Sequence, residues 1–367
     1  MGREVPSTAD PRQTYRGKSP AARPIRKIFW FLVRLGIAGF LLAYLAKSGL
    51  IDLRALSKPF TAWPVALAAI ALILLDVALM AWRLSLLFRP LRMRLPFRVS
   101  MKLTLVGFFF AAFLPGTAGG DLAKLFYAAR GNKDRVSEIV AVTVFDRAIG
   151  LFSLLIMPLI LGLLAPRFIW SLPAMRTLFG LAMTLGGSLV AAFLFCLHCE
   201  TMVKRFVGRL FWFLPSKMML PQAVTTIAGY REHAGILVAA VALSLLANFA
   251  LVVVMLLAIR LLNPGGLDLK MSFVIPVGFI ANSIPLTPGG LGVGETAFNG
   301  LFAIAGFSGG AEALVCWRVW TVLVRMLGLG YYLRGIDRRV FDGQAGPDEG
   351  RISESLTSRS TVSSIDT

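Results

Sequence analysis

Between residues 28 and 333 the chain alternates long apolar runs with short basic loops. Six runs are helix-length for a bilayer, at about 28–46, 62–81, 138–164, 177–198, 236–258 and 312–333. A helix of roughly 20 apolar residues crosses a hydrocarbon core about 30 Å thick. Two further apolar stretches are broken in the middle. The run Leu103–Leu114 has twelve residues, about 18 Å of helix and only half a bilayer. It meets FLPGTAGGD (113–121) and returns through 121–130 to another basic stretch. The second stretch, 271–307, carries ANSIPLTPGGLGVGETAF at 281–298.

Pro115, Pro285 and Pro288 cannot continue a helix, and Gly116, Gly119, Gly120, Gly289, Gly290 and Gly292 open backbone conformations closed to other residues. Broken helices at membrane depth persist where protein or a water-filled cavity satisfies the freed backbone groups. Both stretches therefore read as re-entrant hairpins. Hydropathy alone also permits two full spans for each, but basic residues at both ends of the first favour a hairpin that returns to its own side.

The order span, span, hairpin, span then occurs twice, and three crossings per half invert the second half relative to the first. The expected fold is an all-α polytopic membrane protein with six full transmembrane helices and two re-entrant hairpins. It divides into inverted repeats at about 25–165 and 176–340, with polar, disordered cytoplasmic tails at 1–24 and 341–367. Interrupted apolar segments at matching places in two halves are a pointer to a transporter site.

The net charge of +19 would suggest nucleic acid in a soluble chain, but 57% of the residues are hydrophobic and the bases fall between apolar spans. That pattern sets topology and attracts anionic headgroups to basic cytoplasmic loops, and no nucleic-acid partner is expected. The bases before the first span keep the N-terminus inside. Arg83, Arg89, Arg92, Arg94, Arg98 and Lys102 return the chain to the cytoplasm, as do Arg334, Arg338 and Arg339 at the end. Phe206, Leu210, Phe211 and Phe213 alternate with bases in 200–234, as in an amphipathic interfacial helix. The CLHC run at 196–199 has no second Cys/His pair, so neither a metal nor another cofactor is expected. GGLGVG (289–294) lacks the strand context of a nucleotide loop.

The chemistry-bearing candidates are intramembrane charges, costly to bury without purpose. Asp121 and Glu295 close the two breaks. Facing a polar cavity, they would bind a cationic headgroup or exchange a proton; as first-turn acids they would cap the helices they start. The N–H groups of those half-helices would form a positive-ended pocket for a lipid phosphate. Arg318 and Arg325, seven apart, share a face of the last span. Arg318 is the better headgroup or carboxylate partner, whereas Arg325 is close enough to the end to snorkel. Of the adjacent Asp146 and Arg147, one is expected to line the cavity and the other to bond locally. Asp76 needs a partner, for which Arg34 or Arg83 would serve, and Asn248 and Asn282 read as interhelical hydrogen-bond glue.

PLTPGGLGVGE (285–295), LPGTAGGD (114–121) followed by Lys124, Asp146-Arg147 and Arg318 together resemble the lysylphosphatidylglycerol synthetase membrane-domain, or flippase-like, family. The resemblance covers roughly 25–340. It implies a lipid-translocating module, which in aminoacyl-phospholipid synthetases moves lysylated lipid between leaflets. Nothing after residue 340 has the length of an aminoacyl-transferase domain, and Lys124 stands where many relatives carry arginine. The expectation is a non-enzymatic lipid flippase in a bacterial cytoplasmic (inner) membrane, with a phospho- or glycolipid as cargo. Alternatives are a membrane-embedded enzyme acting on a lipid phosphate, or an accessory scaffold. Lipid-biosynthesis enzymes or a second copy are the candidate protein partners.

Overall fold

The computed structural model describes residues 61–112, 118–130, 132–198, 219–263, 268, 270–284, 287 and 290–334. The first expected span, both tails, the Phe206–Phe213 stretch, the CLHC side chains, and Pro115, Gly116, Pro285, Pro288 and Gly289 lie outside them.

Every regular element among the described residues is helical. Helix α1 (Trp63–Leu87) starts on a proline in its first turn, where a missing N–H costs nothing. A short 3₁₀ turn, Arg89–Leu91, follows. Pro96, extended at φ −60° and ψ 144°, then launches α2 (Phe97–Phe110). Next come α3 (Ala118–Ala129), α4 (Val136–Leu164), α5 (Pro166–Ser171) and α6 (Pro173–His198). The remainder is α7 (Met219–Ala228), α8 (Ala234–Leu262), α9 (Met271–Asn282), α10 (Val293–Ile304) and α11 (Gly310–Arg334).

Five helices, α1, α4, α6, α8 and α11, are long and apolar enough to cross a membrane. The two broken stretches form four short helices: α2 and α3 in the first, α9 and α10 in the second. At 12 residues each, α3, α9 and α10 rise about 18 Å, well short of a bilayer. Large apolar side chains such as Trp63, Leu163, Val238 and Leu333 point outward, as lipid-facing positions do.

Helix α1 lies along α8, α4 packs on α9, and α11 packs on α2, while the arms of each broken stretch pack on one another. Glycine makes the closest approaches. A Cβ on Gly120 of α3 would sit 2.4 Å from the carbonyl oxygen of Gly107 in α2, and one on Gly328 of α11 would sit 2.2 Å from that of Leu105. Membrane helices lack a hydrophobic drive toward each other, so backbone contact of this kind carries their association. Gly120→Val is expected to lower the thermal midpoint by more than any exposed α6 substitution, because overpacking a tight contact costs about 1–3 kcal/mol or more. Thermal unfolding in detergent checks it.

Two apolar clusters fill the interior. One gathers Phe273, Phe298, Phe302, Trp320 and the late part of α8. The other gathers Phe88, Leu103, Ile139, Phe145 and Tyr230, with Ala240 from early α8. Along α8, Ser244 and Asn248 fall between the residues of the two clusters. A polar layer is thus held between two apolar ones.

Candidate functional site

Glu295 is the third residue of α10, in the turn that follows Gly292. Gly290 and Gly292 have φ values of 72° and 79°, a left-handed backbone that glycine adopts without a Cβ penalty. The turn brings the Gly292 N–H to Glu295 Oε2 at 2.7 Å. Glu295 Oε1 lies 2.6 Å from Arg318 Nε, although no N–H is aimed along that contact, which is therefore chiefly coulombic. The hydrogen bonds of Arg318 run from Nη2 to Asn282 Oδ1 and to the Gly290 carbonyl, both at 2.9 Å, with a longer one to Glu295 Oε2 at 3.4 Å. Arg318 therefore clamps three parts of the second break: the end of α9, the loop and the start of α10.

Of the two roles that the sequence left open for Glu295, the structure shows the helix cap and departs from the cavity-facing one. Glu295 is 0% exposed and turns into the clamp rather than toward a cavity. The start of α10 is less open to an anion than expected, because the carboxylate occupies the Gly292 N–H and the Gly294 and Thr296 amides bond to the Gly290 and Gly292 carbonyls. Glu295→Gln should accordingly destabilise the fold by about 3–5 kcal/mol, as removal of one partner from a buried ion pair does. Loss of the folded peak in size-exclusion chromatography would register it.

The ion pairs after the first break are longer. Asp121, in the first turn of α3, sits 3.3 Å from Lys124 Nζ and 3.4 Å from Arg147 Nη1. Gly119 and Gly120 open the same helix, both buried. In each break an acid in the first turn of the returning arm faces an arginine of the next long helix. One such pair is sealed, and the other is partly open, with Asp121 20% and Arg147 33% exposed at their side chains.

A third charged group lies deep in the bundle. Arg83 Nε donates to Asp146 Oδ1 at 2.7 Å and Arg83 Nη1 to Ser244 Oγ at 2.6 Å, joining α1, α4 and α8. Both charged residues are buried. Arg83 fits beside Gly150, where a Cβ would stand 3.2 Å from Nη1. Sequence reading assigned Arg83 to the basic loop after the second span. Its signal was its place four residues inside the end of α1, ahead of the other loop arginines.

The Asp121 and Arg83–Asp146 groups line a cavity of about 220 Å³, whereas Glu295 and Arg318 stand outside its lining. Both breaks reach it: Gly107, Phe108 and Gly120 from the first, Phe279, Asn282 and Ser283 from the second. Four bases (Arg83, Lys124, Arg147, Arg325) and three acids (Asp76, Asp121, Asp146) line it, a formal excess of one positive charge. Asp146 and Arg147 both face the cavity, each with its own partner, where only one of them was expected there. Asp76 is buried and has no hydrogen bond to another described residue; Arg83, the partner suggested for it, is held by Asp146. Arg34, the other suggestion, lies outside the described residues. Asn248 is also in the lining, and Asn282 bonds across helices to Arg318.

Arg325, a candidate transport residue placed near enough to the end of the span to snorkel, keeps its guanidinium in the lining, 5.1 Å over the Phe108 ring. Its Nε is buried without a hydrogen-bond partner, as are Trp317 Nε1 and Thr104 Oγ1. Buried polar atoms nearly always find partners in folded proteins. All three atoms belong to residues that line the cavity but are themselves enclosed, and a shift of those side chains would turn them to an anionic acceptor such as a phosphate oxygen. Among the described residues no three His, Cys, Asp or Glu side chains gather as metal ligands would.

Fold and cavity together define a multi-pass, all-helical membrane protein with a charged chamber between two apolar layers. The chain belongs to the family described as the lysylphosphatidylglycerol synthase TM region, whose pattern matches residues 31–328. Neither the curated proteins nor the solved structures compared with it give a match. Family membership points to a role connected with membrane lipids.

Proposed function

We propose that this protein is a lipid flippase, moving a polar-headed phospho- or glycolipid between the leaflets of a bacterial cytoplasmic membrane. The observation that carries the reading is the shared cavity. Two broken helices, far apart in the chain, meet at one chamber within a bundle of membrane-length helices, the first contributing Asp121 and Lys124 and the second Asn282 and Ser283.

The packing pattern supports an inverted-repeat architecture. Exchanging the halves turns the α4–α9 contact into the α11–α2 contact, and α1–α8 into itself, and each of these pairs is in contact. Six spans with two re-entrant hairpins, both termini cytoplasmic, is the topology that fits this exchange. Cysteine accessibility labelling would refute it if residues flanking α2 and α3 reached opposite sides of the membrane.

In this reading the headgroup enters the cavity and the acyl chains stay in the bilayer, because about 220 Å³ admits a phosphate-sized head and not the tails. Arg325, Trp317 and Thr104 supply donors to the phosphate, while Asp76 accepts from a hydroxyl or ammonium on the head. Asp121, Lys124 and Arg147 line the approach, where their contacts of 3.3–3.4 Å leave room for exchange with a ligand. The reading assigns no bond-making step; a lipid gradient, or consumption of the product, drives net movement.

The test is exchange of a headgroup-labelled phospholipid in proteoliposomes, followed by loss of label to an impermeant quencher. The protein should raise the rate above that of protein-free vesicles. Asp121→Asn should slow it about tenfold or more, the effect of losing a charge-assisted contact worth about 1.5–3 kcal/mol. A wild-type rate equal to that of empty vesicles, across phospho- and glycolipid probes, would end the proposal.

A further inference from the structure

A second basic feature lies away from the cavity, where the chain leaves α1 and enters α2. Through Met93–Leu95 and its flanks the side chains alternate: Met93 and Leu95 are 2% and 4% exposed, while Arg89, Arg92, Arg94 and Arg98 face outward. Three bonds from side chains to backbone carbonyls pin the segment. Tyr230, from the turn before α8, donates to Leu87, Arg135 Nη2 donates to Leu91 at 2.9 Å, and Ser85 Oγ donates to Leu95 at 2.7 Å. The backbone of Arg92 is left-handed, with φ 56° and ψ 22°. A residue with a Cβ rarely adopts that conformation unless its surroundings hold it there.

A hollow of about 1120 Å³ opens between this loop and the last turns of α1. Arg89, Arg92 and Arg94 line it, together with Trp82 and Phe97, which are 50% and 47% exposed. No Asp or Glu lines the hollow or occurs from Val77 to Gly120, and Asp76, the acid of α1, lines the other cavity. Exposed Leu75 lies seven residues before Trp82 on the same face of α1 and continues an apolar strip from the hollow along the helix.

We propose that this hollow binds the headgroup phosphate of an anionic glycerophospholipid from the adjoining leaflet, as a fixed site separate from the transport cavity. Guanidinium forks match phosphate oxygens in bidentate geometry. Trp and aromatic neighbours belong at headgroup depth, and the Leu75–Trp82 strip gives the acyl chain a path. A free phosphate ion would use neither, which is why a membrane lipid is the occupant. The site does not rest on the transport reading, since it is read out by binding alone.

Full-length protein in neutral detergent would be titrated with phosphatidylglycerol or phosphatidylcholine, and retained lipid counted by native mass spectrometry. Wild type should retain phosphatidylglycerol in preference. The triple variant Arg89→Gln, Arg92→Asn, Arg94→Gln should lose at least about tenfold in that retention, since each arginine near an anionic surface contributes about fivefold. Asparagine is chosen at 92 because it tolerates the left-handed backbone. Arg167→Gln, Arg176→Gln, Arg260→Gln removes the same charge from exposed positions elsewhere and should change nothing. Brominated phosphatidylglycerol should also quench a component of tryptophan emission that Trp82→Phe lacks, a readout that stands even if the triple variant does not fold. Equal retention of both lipids, equal loss in the control triple, or displacement by millimolar inorganic phosphate would each overturn the proposal.

Discussion

Arg325→Gln is expected to slow exchange of a headgroup-labelled phospholipid by more than about tenfold while leaving the protein folded. The guanidinium is buried in the cavity lining, has an unbonded Nε, and rests on the Phe108 ring. For the protein alone, an unpaired buried charge is a cost, offset in part by about 1–2 kcal/mol of cation–π attraction. Glutamine removes that cost, so the thermal midpoint should hold or rise. For a phosphate-bearing cargo the same change removes a charge-assisted hydrogen bond worth about 1.5–3 kcal/mol. Activity and stability should therefore move in opposite directions, as they do when a residue is kept strained for function. A variant that loses stability and exchange together would make Arg325 a structural residue and leave the headgroup without its anchor.

Asp146→Ala should destabilise the fold as strongly as Glu295→Gln. It strands Arg83, held at 2.7 Å to Asp146 and 2.6 Å to Ser244, as an uncompensated charge between α1, α4 and α8. Breaking a buried pair from one side costs about 3–5 kcal/mol, whereas replacing both partners with apolar residues of similar volume is often neutral or stabilising. Arg83→Met with Asp146→Leu should then recover most of the thermal midpoint. Exchange measured on that double variant separates the roles: recovered stability with slow exchange means the pair also serves the cavity it lines. An unchanged midpoint in Asp146→Ala would contradict the burial on which the argument depends.

Much of the helical layout was legible in advance because its causes are local. The lengths of the apolar runs place α4, α6, α8 and α11 within a few residues of their observed bounds. The proline-glycine steps divide the two short stretches into α2, α3, α9 and α10. The resemblance, carried by the same motifs, agrees with the family match. The end of α1 was read short by six residues, at 81 rather than Leu87. Arg83 and Ser85 make that part of the helix look like the start of a loop. What hides there is a buried ion pair, whose partner lies 63 residues on.

The sites were legible as a set of residues but not as roles. Glu295 and Asp121 occupy matching places after matching breaks, yet one is sealed in a clamp and the other lines the chamber. Arg318 and Arg325 share a helix face, yet the first spends its bonds on Asn282 and Gly290 and the second has an open Nε. The sequence alone determined which of the described stretches are apolar helices, which are long and which short, and which charges travel with them, since length, proline and glycine act over a few residues. Only the tertiary structure decided which acid meets which arginine and which buried donors are left without a partner. Partnership depends on how distant helices cross, and a charge in a low-dielectric interior takes its meaning from whatever lies within a few ångströms of it.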